Sequence, residues 1–221
     1  MRLRNVAFLM LSVVLAGARG ASAAPESYVV TDTIPGLGTA HVVSYTILGN
    51  NEAAYAVGFD ATLNGVKGVS FCGDLLHEIG LNQTYTATTQ DLGSLNAGYT
   101  TAAKMAQAWS FNLASLGPNL SDAAAGTQLA IWETIYGTNF TITSPLNAGT
   151  QAAYNQVLGT DYSQLGVGNT VFLDVKSGAT SKQDHFFTPT GPATPEPGAA
   201  ILFSAGLAIF AGRMRRETAT V

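Results

Sequence analysis

Thr127-Gln128-Leu129-Ala130-Ile131-Trp132 sets a carboxamide in the middle of an apolar run with helical spacing. Ser121 reads as the N-cap, Asp122 as an acid in the positive first turn and Gly137 as the stop after Tyr136. Ala124, Gln128, Ile131 and Ile135 share one face of this helix, and Ala125, Leu129, Trp132 and Tyr136 share the next. Both faces are largely apolar, so Gln128 points inward. A buried amide without partners costs about 1–3 kcal/mol; it is therefore expected to be hydrogen-bonded or chemically altered.

Strand patterns surround that helix. Tyr28–Val30, His41–Ile47, Ala54–Phe59 and Val66–Cys72 are β-branched or aromatic runs, separated by Pro35-Gly36, Gly49-Asn50-Asn51 and Asn64-Gly65. Asn64-Gly65 is a hairpin signal. Asp74–Ile79 reads as a short helical turn, and Thr84–Thr88 as an edge strand. Ala102, Met105, Ala106, Trp109, Leu113 and Leu116 recur at helical spacing until Gly117-Pro118. A third, weaker helix is expected over Ala148–Leu158. Val171–Val175 and Asp184–Thr188 then return as strands around Lys176-Ser177-Gly178. Strands first, helices next and strands last predict an α+β domain, an antiparallel sheet or barrel made by N- and C-terminal strands with a central helical insertion.

The 221 residues suit one domain plus processing segments, and 47% hydrophobic content supports a core. The net charge of −4 is unevenly spread. Every arginine (Arg2, Arg4, Arg19, Arg213, Arg215, Arg216) is terminal, so only four lysines face the acids from Glu26 to Glu196. That acidic body argues against nucleic-acid binding. Cys72 is the single cysteine and cannot form an internal disulfide. It is either a reactive thiol or a small buried hydrophobe.

Met1–Ala23 has the layout of a secretory signal: Arg2 and Arg4, an apolar stretch from Val6 to Ala16, then Ala21-Ser22-Ala23. At the other end, 189–197 is a Pro-rich linker carrying Pro195-Glu196-Pro197. Residues 198–216 combine an apolar helix with a basic stop at Arg213, Arg215 and Arg216, and 217–221 are a tail. Such a helix can hold a chain transiently in an inner membrane with its basic end cytoplasmic.

Two resemblances follow from these motifs. The Pro-Glu-Pro, apolar helix and arginines resemble the PEP-CTERM sorting signal of Gram-negative bacteria. It implies processing by an exosortase-type enzyme, an inner-membrane tethered intermediate and a final place at the cell surface or outside the cell. Thr-Gln-x-Ala-Ile-Trp (Thr127, Gln128, Ala130, Ile131, Trp132), together with Phe71-Cys72, resembles the Cys–Gln thioester domain of bacterial surface proteins; residues 24–188 would form it. That resemblance implies an internal thioester between Cys72 and Gln128, open to an amine on a surface protein or polysaccharide. A domain consumed in this way is a single-use reagent and not an enzyme, and it needs no cofactor. Gly73 departs from the family pattern, which has a larger residue after the Cys.

His77, five residues after Cys72, is the candidate base for the thiol, and the alternative is a histidine on the wet side of a turn. Trp132 is expected to pack over the bond. His41, His77 and His185 lack metal-ligand spacing, so no metal is expected. Two rivals stay open: a non-reactive structural or matrix protein with the same sorting tail, and a Cys-dependent hydrolase.

Overall fold

The computed structural model describes residues 24–34, 41–110 and 120–190. Among the described residues, ten strands and three α-helices follow the order β1 (Glu26–Thr33), β2 (His41–Ile47), β3 (Asn50–Ala56), β4 (Phe59–Leu63), β5 (Val66–Cys72) and β6 (Gln83–Gln90). Then come α1 (Ala97–Ser110), α2 (Leu120–Tyr136), β7 (Phe140–Ile142), α3 (Ala148–Leu158), β8 (Val171–Ser177), β9 (Thr180–Ser181) and β10 (His185–Pro189).

Six strands close an antiparallel barrel. Their order is β10-β5-β4-β1-β6-β8, and β8 pairs back to β10 through His185↔Leu173 and Phe187↔Val171. Closure removes the exposed strand edges that an open sheet would present. Strand alternation then sorts the side chains. Tyr28, Val30, Tyr85, Ala87, Leu173, Val175 and Phe187 belong to one buried cluster with Cys72, whereas Val69, Phe71, Phe172 and Phe186 join a second with α1. The α+β class with helices inserted between N- and C-terminal strands therefore matches the sequence expectation. The expected apolar helix of the tail lies outside the described residues, as do the signal segment, Leu113, Leu116 and Pro35-Gly36.

Several local expectations change. Ala54–Phe59 is not one strand: the chain leaves β3 at Ala56 and enters the barrel at Phe59. Between them a Cβ on Gly58 would strike Ile34 Cδ1 at 2.5 Å, and the Gly58 carbonyl accepts the Ile34 N–H at 3.0 Å. β2 and β3 form a separate small sheet with β7, a strand that no sequence signal announced. β6 is an interior barrel strand between β1 and β8, not an edge, because β8, far along the chain, pairs with its second side. Asp74–Ile79 forms bends and no helix; the Asp74 carboxylate takes the Leu76 N–H at 2.6 Å and so competes with a helical bond. The second helix already includes Leu120, which puts Ser121 inside the first turn rather than at the cap.

The Asn64-Gly65 hairpin is as expected. Leu63 pairs with Val66, and φ is 50° at Asn64 and 80° at Gly65, as a two-residue type I′ turn demands. The third helix spans the expected residues, with the Asn147 side chain capping it by accepting the Thr150 N–H at 2.7 Å.

Candidate functional site

Cys72 ends β5 and is 2% exposed. Gln128 lies in the middle of α2, where every residue from Ser121 to Trp132 is buried. One flank of the helix, Ala125, Leu129 and Trp132, joins the cluster that contains Cys72. The other flank, Ala123, Ala124, Ala130 and Ile131, packs with α1, α3 and Phe71. A helix apolar all round is a buried helix, and Gln128 sits at the join of its two flanks, 0% exposed. Close approach of α2 and α3 depends on Gly126, where a Cβ would lie 2.6 Å from both Ala153 Cβ and Tyr154 N.

The carboxamide of Gln128 closes on the backbone of Cys72. Cys72 N–H donates to Gln128 Oε1 at 2.8 Å, and Gln128 Nε2 donates to the Cys72 carbonyl at 2.9 Å. The local fold explains why those backbone groups are free. β4 pairs with β5 only as far as Phe59↔Ser70, because its chain turns away at Gly58. On the other side, Gly73 N–H donates to the Asp184 carbonyl at 2.7 Å. Successive residues of a strand point their N–H groups to opposite sides, so the Cys72 groups face the place that β4 has vacated. Gln128 fills that place as a one-residue extension of the ladder, and its inward orientation follows the sequence reading.

The arrangement can polarise an acyl group. The Cys72 N–H already donates to the oxygen on which charge would grow during attack on Gln128 Cδ. The thiol itself is not activated: burial pushes its pKa up, and the Asp74 carboxylate adds to this.

His77 sits in the bend after Cys72 with its side chain 44% exposed, and its Nδ1 is engaged by Asp74 Oδ2. That is the placement of a histidine on the wet side of a turn. Trp132 is buried beside Tyr45 and Phe140 at ring-centroid distances of 6.1 Å, within the cluster that holds Cys72. Its indole Nε1 has no hydrogen-bond partner among the described residues. Thr127 returns its hydroxyl to the Ala123 carbonyl at 2.9 Å. Phe71, Ala130 and Ile131 share the second cluster, on the opposite face of β5 from the thiol. Of the motif residues, then, Trp132 shares the thiol's cluster, Gln128 bonds to the Cys72 backbone, and Phe71, Ala130 and Ile131 pack strand to helix on the other face.

Gly73 has a steric explanation. A Cβ there would meet Phe172 Cε2 at 2.6 Å and Phe186 Cε2 at 3.1 Å. The aromatic layer formed by Phe172, Phe186 and Tyr99 occupies the space that a larger residue would need.

One histidine that the sequence spacing set aside belongs to this region. His185 on β10 pairs directly with Cys72 and is 0% exposed. Its Nδ1 lies 2.8 Å from Ser70 Oγ, which lies 2.7 Å from Tyr28 Oη. Burial drives its pKa down to about 3, so the ring is neutral near pH 7. The available signal was slight: a polar residue opening the apolar strand His185-Phe186-Phe187, and Ser70 two residues before Cys72 on the same strand face.

The sorting residues Pro195, Glu196, Pro197, Arg213, Arg215 and Arg216 lie outside the described residues. Among the described residues no group of three or more His, Cys, Asp or Glu side chains is placed to hold a metal ion, and no helix is long and apolar enough to cross a membrane. Two open surface grooves, one lined in part by Phe140, Leu146 and Tyr154 and the other by Met105, Leu158 and Tyr162, include neither Cys72 nor Gln128. Comparison with the models of known protein families, with curated proteins and with solved structures finds no match.

Proposed function

We propose that this is an exported surface or extracellular-matrix protein whose α+β domain forms an internal Cys72–Gln128 thioester for covalent attachment. In this reading the PEP-CTERM-like tail delivers it through an inner-membrane intermediate to an exosortase-type processing enzyme. The carrying observation is the meeting of two residues 56 apart in sequence, with the Gln128 carboxamide clasped to the backbone of the only cysteine. A fixed encounter of this kind replaces a bimolecular step by an intramolecular one.

The chemistry balances within the pair. Cys72 Sγ attacks Gln128 Cδ, the Sγ–Cδ bond forms, the Cδ–Nε2 bond breaks, and the nitrogen leaves as ammonia with the thiol proton. An amine on a partner protein or polysaccharide would then attack Cδ, leaving an amide on Gln128 and returning the thiol to Cys72. Burial of both residues would protect the acyl group from water.

A second reading has its own support. Both polar atoms of the Gln128 amide are hydrogen-bonded to the Cys72 backbone, and the thiol is held neutral. The pair then serves as a structural clasp in a non-reactive matrix protein with the same tail.

Intact mass of the purified mature protein separates the two. A thioester leaves the chain lighter by one ammonia, and methylamine adds to it while exposing one thiol. A full-mass chain that takes up no methylamine, with a thiol that titrates on unfolding without prior amine treatment, overturns the first reading.

A further inference from the structure

We propose that His185 is the group that carries the proton from Cys72 to the departing nitrogen of Gln128. This rests on the thioester reading above and adds to it a residue that neither motif contains.

Cys72 and His185 are directly opposed on β5 and β10. The bond from Gly73 N–H to the Asp184 carbonyl marks theirs as a non-hydrogen-bonded pair. In such a pair the two side chains leave the same sheet face at the closest cross-strand spacing. The rings around the imidazole agree with that placement. Tyr28 and Phe59, each with its centroid 5.5 Å from that of His185, belong to the buried cluster that contains Cys72.

The two nitrogens of the ring are treated differently. Nδ1 is anchored by Ser70, which is itself held by Tyr28. Nε2 is buried and has no hydrogen-bond partner among the described residues. Buried polar atoms are nearly always paired, so one left open on the residue directly opposite a nucleophile calls for a role. Nucleophile, base and orienting group are the recurring parts of activated-thiol sites; here they are Cys72, His185 and the Ser70–Tyr28 pair. With Nδ1–H donating to Ser70 Oγ and the Ser70 hydroxyl donating to Tyr28 Oη, Nε2 presents its lone pair.

The thiol needs such a partner, since burial and Asp74 keep it from ionising alone. As Sγ attacks Cδ, its proton passes to His185 Nε2. As the Cδ–Nε2 bond of Gln128 breaks, that proton passes to the leaving nitrogen. His185 ends neutral, as it began, which suits a site that disfavours a lasting imidazolium. His77 is exposed, engaged by Asp74 and has no part in this step.

The test follows ammonia loss in newly made full-length chains. Cell-free synthesis is quenched in acid at intervals, intact mass is read, and a protease-resistant core reports folding. Wild-type chains should lose one ammonia as they fold. His185→Gln and His185→Ala should fold yet lose it about 100-fold more slowly, the ordinary worth of a positioned proton-transfer group. Imidazole added during folding should restore part of the rate to His185→Ala and add nothing to wild type. Should both His185 variants fail to fold, Tyr28→Phe, which keeps the ring and removes the hydroxyl, should slow the loss measurably.

Wild-type chains that neither lose ammonia nor take up methylamine would overturn the thioester reading, and this proposal with it. Wild-type loss matched in rate by folded His185 variants, or by Tyr28→Phe where those do not fold, would overturn the role of His185 alone. So would a slow His185→Ala that imidazole leaves slow.

Discussion

Gln128 holds Cys72 by its backbone and not by its sulfur: Oε1 takes the Cys72 N–H at 2.8 Å and Nε2 gives to the Cys72 carbonyl at 2.9 Å. In any chain whose thioester has not formed, the two residues should therefore differ sharply in what they contribute to stability. Gln128→Ala leaves a buried donor and a buried acceptor open and a hole in α2, and should cost about 3–5 kcal/mol. Cys72→Ala keeps both backbone bonds and removes only a small buried sulfur, and should cost about 1 kcal/mol. Urea unfolding of Gln128→Ala in a Cys72→Ala background, where no thioester can form, isolates the clasp. Equal costs for the two single changes in thioester-free protein would show that the clasp adds nothing.

The buried imidazole makes stability depend on pH. His185 titrates at about 3 in the fold and near 6.5 when unfolded. The unfolded chain thus binds the extra proton between those values, and stability falls as pH drops through that window, by several kcal/mol. Asp184 acts the other way. Burial raises its carboxyl to about 6, against the bond it accepts from Val175 N–H. The folded chain then binds the extra proton between about pH 4 and 6, so this contribution weakens as pH rises, by about 1 kcal/mol after allowance for its partial exposure. Wild-type stability, read from urea midpoints between pH 4 and 6.5, should rise with pH because the histidine effect is larger. In His185→Gln the slope should reverse, and adding Asp184→Asn should flatten it.

Gly73→Leu should be poorly tolerated. Its Cβ would enter the space of the Phe172 ring, 2.6 Å from Cε2, next to the neighbouring Phe186. Overpacking of this kind costs about 1–3 kcal/mol. A thermal melt in which Gly73→Leu matched wild type would show that the aromatic layer gives way freely.

Gly126→Ala tests the approach of α2 to α3. The added methyl gains about 1 kcal/mol of helix propensity, but it meets Ala153 Cβ and the Tyr154 backbone nitrogen at 2.6 Å. Backbone cannot swing aside as a side chain can, so a net loss of about 1–2 kcal/mol is expected in chemical denaturation. Net stabilisation would mean that the helices can separate without penalty.

His77→Ala should leave stability within about 0.5 kcal/mol of wild type, since the side chain is largely exposed in a bend and surface substitutions change little. Its rate of ammonia loss should also equal that of wild type. A large slowing would return His77 to the chemistry.

The sequence by itself determined what repeats along the chain. Runs of β-branched and aromatic residues placed β2, β5, β8 and β10, and helical spacing placed α2 and α3, because such patterns are local. It also drew attention to Gln128 and Cys72, one a polar residue on an apolar helix and the other a lone thiol. What only the tertiary structure decided depends on contacts between distant segments. Pairing of β10 with β8 closed the barrel, and pairing of Thr84–Thr88 with β8 as well as β1 made an expected edge an interior strand. Departure of the chain at Gly58 left the Cys72 backbone open for Gln128 to complete. Strand register brought His185 opposite Cys72 across more than a hundred residues, and no local period encodes a register between strands so far apart.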